Sequence, residues 1–171
     1  MKRLTIISGG QTGVDRAALD AAIECGVSYG GWCPQGGWAE DMIKPPGVLA
    51  AYPRLRATPS RDPAERTEWN VRDSDASLIL TDRRRVALSP GTALAERLAA
   101  RDRKPVMAID MDAADAVARA GRWLQALLAA HRSNAPFRLA IGGPRESEAP
   151  GIYESAKPFV VALLRHVSRV L

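Results

Sequence analysis

Short apolar runs alternate along the chain with longer stretches of helical spacing, and this alternation predicts the fold class. Leu4 to Ile7 is an apolar, β-branched run that stops at Ser8-Gly9-Gly10, the pattern of a buried strand closing at Gly9 and entering a turn. From Val14 onward, Ala17, Ala18, Ala21, Ala22 and Cys25 recur at helical spacing, with Asp15, Arg16, Asp20 and Glu24 at the polar positions. Gly26 suits the site just past that helix, where a positive φ is wanted. Tyr29 to Cys33 reads as a weaker strand, broken by Pro34-Gln35-Gly36-Gly37.

Residues 38–75 carry little pattern beyond a helix around Pro63 to Val71, and Pro45-Pro46 and Pro53 there point to an excursion, not a second domain. Ser77 to Thr81 reads as another buried strand. Ser89-Pro90-Gly91-Thr92 then precedes a helix that turns Ala93, Leu94, Leu98 and Ala99 to a core. Val106 to Ile109 is a strand, Ala113 to Ala130 a long Ala/Leu helix, and Phe137 to Ile141 a further strand. Ile152 to Val170 closes as a helix with Phe159, Leu163, Val167 and Val170 on one side. Strands that read as continuous apolar runs and alternate with helices predict an α/β protein. Its expected form is a Rossmann-like, doubly wound, mainly parallel sheet of about five or more strands with helices on both faces. The length predicts one domain over residues 1–171.

In such a sheet, ligands bind beyond the carboxyl ends of the strands. Four Gly-rich loops are predicted at those ends: Gly9-Gly10-Gln11-Thr12-Gly13, Pro34-Gln35-Gly36-Gly37, Ser89-Pro90-Gly91-Thr92 and Gly142-Gly143-Pro144-Arg145-Glu146-Ser147. Glycine lets backbone N–H groups approach an oxyanion, and a following helix N-terminus adds about half a positive charge. One such loop is ordinary turn chemistry; four on one edge predict a site for an anionic, phosphate-bearing ligand. Thr12, Thr92 and Ser147 add hydroxyls, and Arg16 and Arg145 add guanidinium forks.

Composition narrows the alternatives. With 46% hydrophobic and 25% charged residues the chain is globular in type, and its apolar stretches fall short of a membrane span. Met1-Lys2-Arg3 leads straight into the first strand without a signal-like apolar region, so a cytoplasmic location is expected. The net charge of +5 is carried by 20 Arg against 4 Lys. Only Arg83-Arg84-Arg85 forms a run, read as a solvated face, and aromatic residues are 5%, so nucleic-acid binding is disfavoured. Cys25 and Cys33 are expected to be buried free thiols, His131 and His166 surface residues, and no metal bound directly by the protein is expected.

Ser8-Gly9-Gly10-Gln11-Thr12-Gly13 has the spacing of a dinucleotide-binding turn with serine in the first place. Strand two, however, ends at Trp32-Cys33-Pro34 without the acid that would hold a ribose, which disfavours NAD. No P-loop is present either. Glu40-Asp41 could act as acid or base, but adjacent acids near a short helix start more often serve as dipole partners or caps. Asp75 is expected to organise a turn, and Trp32, Trp38 and Trp69 either wall a flat ring system or fill the core.

The segments Ile6-Ile7-Ser8-Gly9-Gly10-Gln11-Thr12-Gly13-Val14-Asp15-Arg16-Ala17-Ala18-Leu19-Asp20 and Gly31-Trp32-Cys33-Pro34-Gln35-Gly36-Gly37-Trp38-Ala39-Glu40-Asp41 resemble the molybdenum cofactor carrier proteins. So do Arg66-Thr67-Glu68-Trp69-Asn70-Val71-Arg72-Asp73-Ser74-Asp75 and Gly142 to Ser147 with Pro150-Gly151-Ile152-Tyr153. The resemblance implies a Rossmann-like fold of the superfamily that holds the cytokinin-activating phosphoribohydrolases and DNA-processing proteins. It also implies homo-oligomers, tetramers among them. The implied ligand is the molybdenum cofactor (molybdopterin), whose phosphate would meet the Gly-rich loops and whose own sulfurs hold the metal. The implied partners are molybdoenzymes that receive it.

The leading reading is therefore a carrier that performs no chemistry. Two alternatives are a phosphoribohydrolase-like enzyme acting on nucleoside monophosphates, with Arg16 or Arg145 on phosphate and Glu40 or Glu96 stabilising the developing cation, and a sensor of a nucleotide-derived signal. Against hydrolysis, only Pro90-Gly91-Thr92 remains of the PGGxGTxxE-like loop of such enzymes, and Glu96 comes four residues after the threonine.

Overall fold

The computed structural model describes residues 4–82 and 90–168, with no description of the Thr92 side chain. In chain order it comprises β1 (Leu4–Ile7), α1 (Val14–Glu24), β2 (Ser28–Cys33), a 3₁₀ turn (Gln35–Gly37), α2 (Val48–Ala51), β3 (Leu55–Ala57) and α3 (Pro63–Arg72). It continues with β4 (Ala76–Thr81), α4 (Pro90–Arg101), β5 (Val106–Asp110), α5 (Ala116–Ala130), β6 (Phe137–Gly142) and α6 (Ile152–Ser168). The six strands form one parallel sheet in the order β3-β2-β1-β6-β4-β5. The predicted Rossmann-like α/β class is borne out.

Alternation along each strand divides the sheet into two unlike faces. On one, Ile6 of β1, Ala76, Leu78 and Leu80 of β4, and Phe137, Leu139 and Ile141 of β6 pack under α1, α5 and α6 as the main core. On the other, beneath α3 and α4, the same strands present Ile7, Ser77, Ile79, Ala140 and Gly142. Large apolar side chains of β6 thus fill one face, while beside the exposed Arg138 the same strand brings only the Ala140 methyl group and the Gly142 hydrogen to the other.

The helices are fixed by local chemistry. Asp62 caps α3 by accepting from Ala64 N at 2.9 Å, with Pro63 in the first turn. At its other end, the Lys104 ammonium donates to the Val71 and Ser74 carbonyls at 2.9 and 2.7 Å. Asn70 then clamps α3 to β2: Trp32 N donates to its Oδ1 at 2.7 Å, and its Nδ2 donates to Trp32 O at 2.9 Å. Gly31 makes that clamp possible, because a Cβ there would strike the Ser8 carbonyl and crowd Asn70.

Several expectations change. α2 and β3 lie in the stretch without legible pattern and build a small second cluster from Leu19, Cys33, Ala39, Val48, Tyr52 and Leu55. The first strand ends at Ile7, two residues short of Gly9. His166 is half-buried, not superficial, because its ring fills the space above Gly121. His131 is likewise half-buried, edge-on to Phe137 with ring centroids 5.3 Å apart. Both cysteines are free, but only Cys33 is buried; Cys25, at the end of α1, is half-exposed. Arg83-Arg84-Arg85 and Val170 lie outside the described residues. No described helix is long and apolar enough to cross a membrane.

Candidate functional site

The chain leaves β1 towards β2 with α1 on one face, and leaves β4 towards β5 with α4 on the opposite face. Connections that diverge in this way open a crevice above the strand between them. That strand is β6, and a cleft of about 700 Å³, its mouth included, lies above it. Its floor is the sheet face on which Ala140 and Gly142 of β6 lie between Ile7 of β1 and Ser77 and Ile79 of β4, its roof is Arg66, Thr67, Asn70 and Val71 of α3 with Gly91 and Ala95 of α4, and Gly9, Gln11, Asp15, Gly143, Arg145 and Glu148 rim it.

Arg66 and Asp15 form the electrostatic centre. Nη1 of Arg66 donates to Asp15 Oδ2 at 2.7 Å, and the side chains are 18% and 7% exposed. The pair exists because residue 9 is glycine: a Cβ there would occupy the guanidinium's place. Asp15, expected as a polar helix position, instead points inward from the first turn of α1, where a carboxylate also meets the positive end of the helix dipole. Arg145 reaches Glu148 at 3.3 Å. The charged side chains of the lining therefore balance, two arginines against two carboxylates, and any excess attraction for an anion must come from backbone N–H groups and helix N-termini.

A second arrangement ties the rim loops together outside the cleft. The Glu40 carboxylate accepts from the Thr12 hydroxyl, from Ser147 Oγ at 2.6 Å and from Ser147 N at 3.2 Å, with Arg145 at 3.9 Å. Gln11 Oε1 accepts from Thr12 N and Glu40 N, both at 3.0 Å. Arg16 binds Asp41 in fork fashion at 2.8 and 2.9 Å and donates to the Gly10 carbonyl. Burial alone would raise the Glu40 carboxyl, but the hydrogen bonds from Ser147 and Thr12 outweigh it and hold it below its ordinary value. Asp41 is held low chiefly by the Arg16 hydrogen bond. The expectation that Glu40-Asp41 are dipole partners or caps is corrected: Glu40 fastens the loops of Thr12 and Ser147 to its own, and Asp41 fastens that loop to Arg16 of α1.

Six of the residues proposed from sequence line the cleft: Gly9, Gln11, Gly91, Gly142, Gly143 and Arg145. Thr12, Arg16 and Ser147 are engaged in the rim ties, and Gly10 faces Leu55 and Val48. Gly13 packs against Pro144 and Arg145, and Gly36 and Gly37 pack against Pro45, Pro46 and Leu49, carrying Pro34 with them. Ser89 and the Thr92 side chain lie outside what is described. Neither Glu40 nor Glu96 lines the cleft. Trp32 and Trp69 stack edge-on to each other at 4.7 Å, Trp32 Nε1 donates to Asp73 at 2.7 Å, and none of the three tryptophans lines the cleft. Asp75 pairs with the Arg138 backbone amide of β6 at 2.7 Å, fixing strand register where a turn was expected.

Sequence reasoning missed Asp15, Arg66, Thr67, Asn70 and Ser77 as cleft residues. The available signal was the polar spacing Arg66, Thr67 and Asn70 on α3, which brings an unusually polar face to the sheet. Among the described residues, no group of three or more His, Cys, Asp or Glu is placed to hold a metal ion.

Sheet order, divergent connections and a cleft at their parting define a Rossmann-like α/β protein with a cleft at its topological switch point. Within that class the chain belongs to the circularly permutated YpsA SLOG family, whose model matches residues 6–164. It is also similar to a crystal structure from Syntrophus aciditrophicus SB, provisionally named a molybdenum carrier protein. The two share 36% identity over 97% of this chain and 95% of that one, with a TM-score of 0.77. No curated protein matches the chain.

Proposed function

We propose that this protein binds and carries a small phosphate-bearing ligand, the molybdenum cofactor, without performing chemistry on it. The observation that carries the reading is the convergence on one cleft of the Gly9 turn, the Gly142-Gly143 turn, the N-terminal turn of α4 at Gly91 and the Arg66 guanidinium. Such a set offers backbone and guanidinium donors to an oxyanion. The provisional name of the Syntrophus relative supports the same ligand. Because the cofactor's dithiolene sulfurs hold its molybdenum, the protein need supply only anion and ring contacts. On this reading the chain is one domain and acts as a cytoplasmic homo-oligomer that delivers the cofactor to molybdoenzymes.

The hydrolase alternative has less support, since Glu40 is committed to Thr12 and Ser147 and Glu96 is not in the cleft wall. The test uses Gly91→Asp, because Gly91 lines the cleft and a Cβ there meets nothing within 4 Å, so a carboxylate is added at the cleft wall without a steric clash. Purified molybdenum cofactor is expected to bind the variant at least about tenfold more weakly than the wild type, through like-charge repulsion. Equal affinity in both, or none in either, overturns the proposal. Release of free base from nucleoside monophosphates would replace it with the hydrolase reading.

A further inference from the structure

The closed end of the cleft differs in chemistry from its mouth. Ser77, Ala140 and Ile7 are lateral neighbours in the sheet register, one row below Ile79 and Gly142. Two residues of strand separate the rows, about 6.6 Å, comparable to the width of a planar fused-ring system. Val71 of α3 and Ala95 of α4 face this space from above. It is an apolar slot with one exception.

The exception is the Ser77 hydroxyl. Ser77 is 3% exposed and lines the cleft, and its Oγ has no hydrogen-bond partner. Among the described residues it is the one buried, unpartnered side-chain polar atom in the cleft lining. The neighbouring polar groups are already engaged: both ends of the Asn70 amide serve the Trp32 backbone, and the Thr67 hydroxyl donates to Pro63 O at 3.0 Å. An unsatisfied buried hydroxyl is unfavourable, and alanine would fill the same place without that cost. Packing therefore does not account for a serine at this position; a ligand that supplies the missing partner does.

We infer that Ser77 is a specificity-determining residue that hydrogen-bonds a ring heteroatom or exocyclic group of a planar heterocyclic phosphate ester, whose ring lies in the apolar slot and whose phosphate lies at the glycine-lined mouth. This assignment rests on the anion-binding reading of the cleft and adds the residue that recognises the ring and the ring's orientation. A hydroxyl can donate or accept, so it suits pterin-like and purine-like edges alike and rejects a hydrocarbon ring.

The test is calorimetric titration of wild type and Ser77→Ala with 6-hydroxymethylpterin phosphate, phenyl phosphate and inorganic phosphate. The pterin ester is expected to bind the wild type tightest. Ser77→Ala should weaken the pterin ester by about five- to tenfold, leave phenyl phosphate and inorganic phosphate within about twofold, and keep or raise the ligand-free Tm. A uniform effect on all three probes, no effect on the pterin ester, or a markedly lower ligand-free Tm would overturn the assignment while leaving anion binding intact. Failure of every probe to bind the wild type would remove the anion-binding reading and this inference together.

Discussion

The Arg66–Asp15 pair allows stability and binding to be separated by sign. Replacing Arg66 with Met leaves the Asp15 carboxylate, 7% exposed, without its ion partner. Breaking a fully buried pair costs about 3–5 kcal/mol, but Arg66 is 18% exposed and Asp15 keeps the favourable dipole of the α1 N-terminus. A loss of about 2–3 kcal/mol follows. For a chain of 171 residues, each kcal/mol lowers Tm by about 2–4 °C, so Arg66→Met should melt about 4–12 °C below wild type. It should also lose affinity for phosphate.

Asp15→Asn is the informative partner variant. The amide oxygen can still accept from Arg66, so only the charge component is lost, about 1–2 kcal/mol of stability. Binding should move the other way. The Asp15 carboxylate opposes any anion held by Arg66, and its removal should strengthen phosphate binding by about 1 kcal/mol, or roughly fivefold, at physiological salt. Circular-dichroism melts and calorimetric titration with inorganic phosphate measure both quantities on the same samples. If Asp15→Asn weakens binding in step with its loss of stability, the carboxylate is a ligand contact or an essential positioning group, and the electrostatic account of the cleft is wrong.

Other outcomes follow from groups outside the cleft. Glu40 and Asp41 have lowered carboxyl values, so their contribution to stability is complete above the ordinary carboxylate range and is lost as pH falls through their lower folded values. Acid unfolding of Glu40→Gln should accordingly be shallower than that of wild type. Burial first, and then the hydrogen bond to Asp20, push the Tyr153 phenol up to about 12, and Tyr52 is raised in the same way. Both should ionise late in a spectrophotometric titration, and earlier in Asp20→Asn; stability held by the neutral phenols is present below their ordinary range and lost as pH rises through these folded values. Gly121→Ala drives a methyl into the His166 ring and should cost about 1–2 kcal/mol, and a second change, His166→Ala, should relieve the collision in a double-mutant cycle.

Much of the sheet was legible because its strands are buried on both faces and its long helices are periodic. β1, β4, β5 and β6 read directly from runs such as Ser77 to Thr81, and α1, α5 and α6 from Ala and Leu at helical spacing. β3 was not legible: in Leu55–Ala57 only Leu55 is buried, and the strand exists because Leu55 lies opposite Gly31 of β2. Asp15 looked like a solvent-facing helix residue because periodicity describes one helix in isolation and cannot see Arg66 arriving from a helix fifty-one positions away. The Gly-rich loops were found for a sound reason, yet glycine marks close approach of any kind. At Gly9 the neighbour is the guanidinium of the site, whereas at Gly36 and Gly37 it is a proline-rich loop.

The cleft itself follows from a bias that an apolar count conceals. Phe137, Leu139 and Ile141 fill the core beneath α1, α5 and α6, while Arg138, Ala140 and Gly142 of the same strand turn the other way. A continuous apolar run predicts burial on both faces but says nothing of side-chain volume on each. Here the smaller set lies where the connections after β1 and β4 diverge, so α3 rests on β2 and α4 on β4 and β5 while β6 between them leaves a gap. Had Ala140 and Gly142 been Leu and Val, the same topology would close over a packed core, and Ser77 would be an unsatisfied hydroxyl with no space beside it. The cleft is therefore a joint product of strand order and residue size at β6, and Gly142→Val, whose nearest neighbour is Asp15 at 3.5 Å from the new Cβ, would fill the crevice while the fold remains.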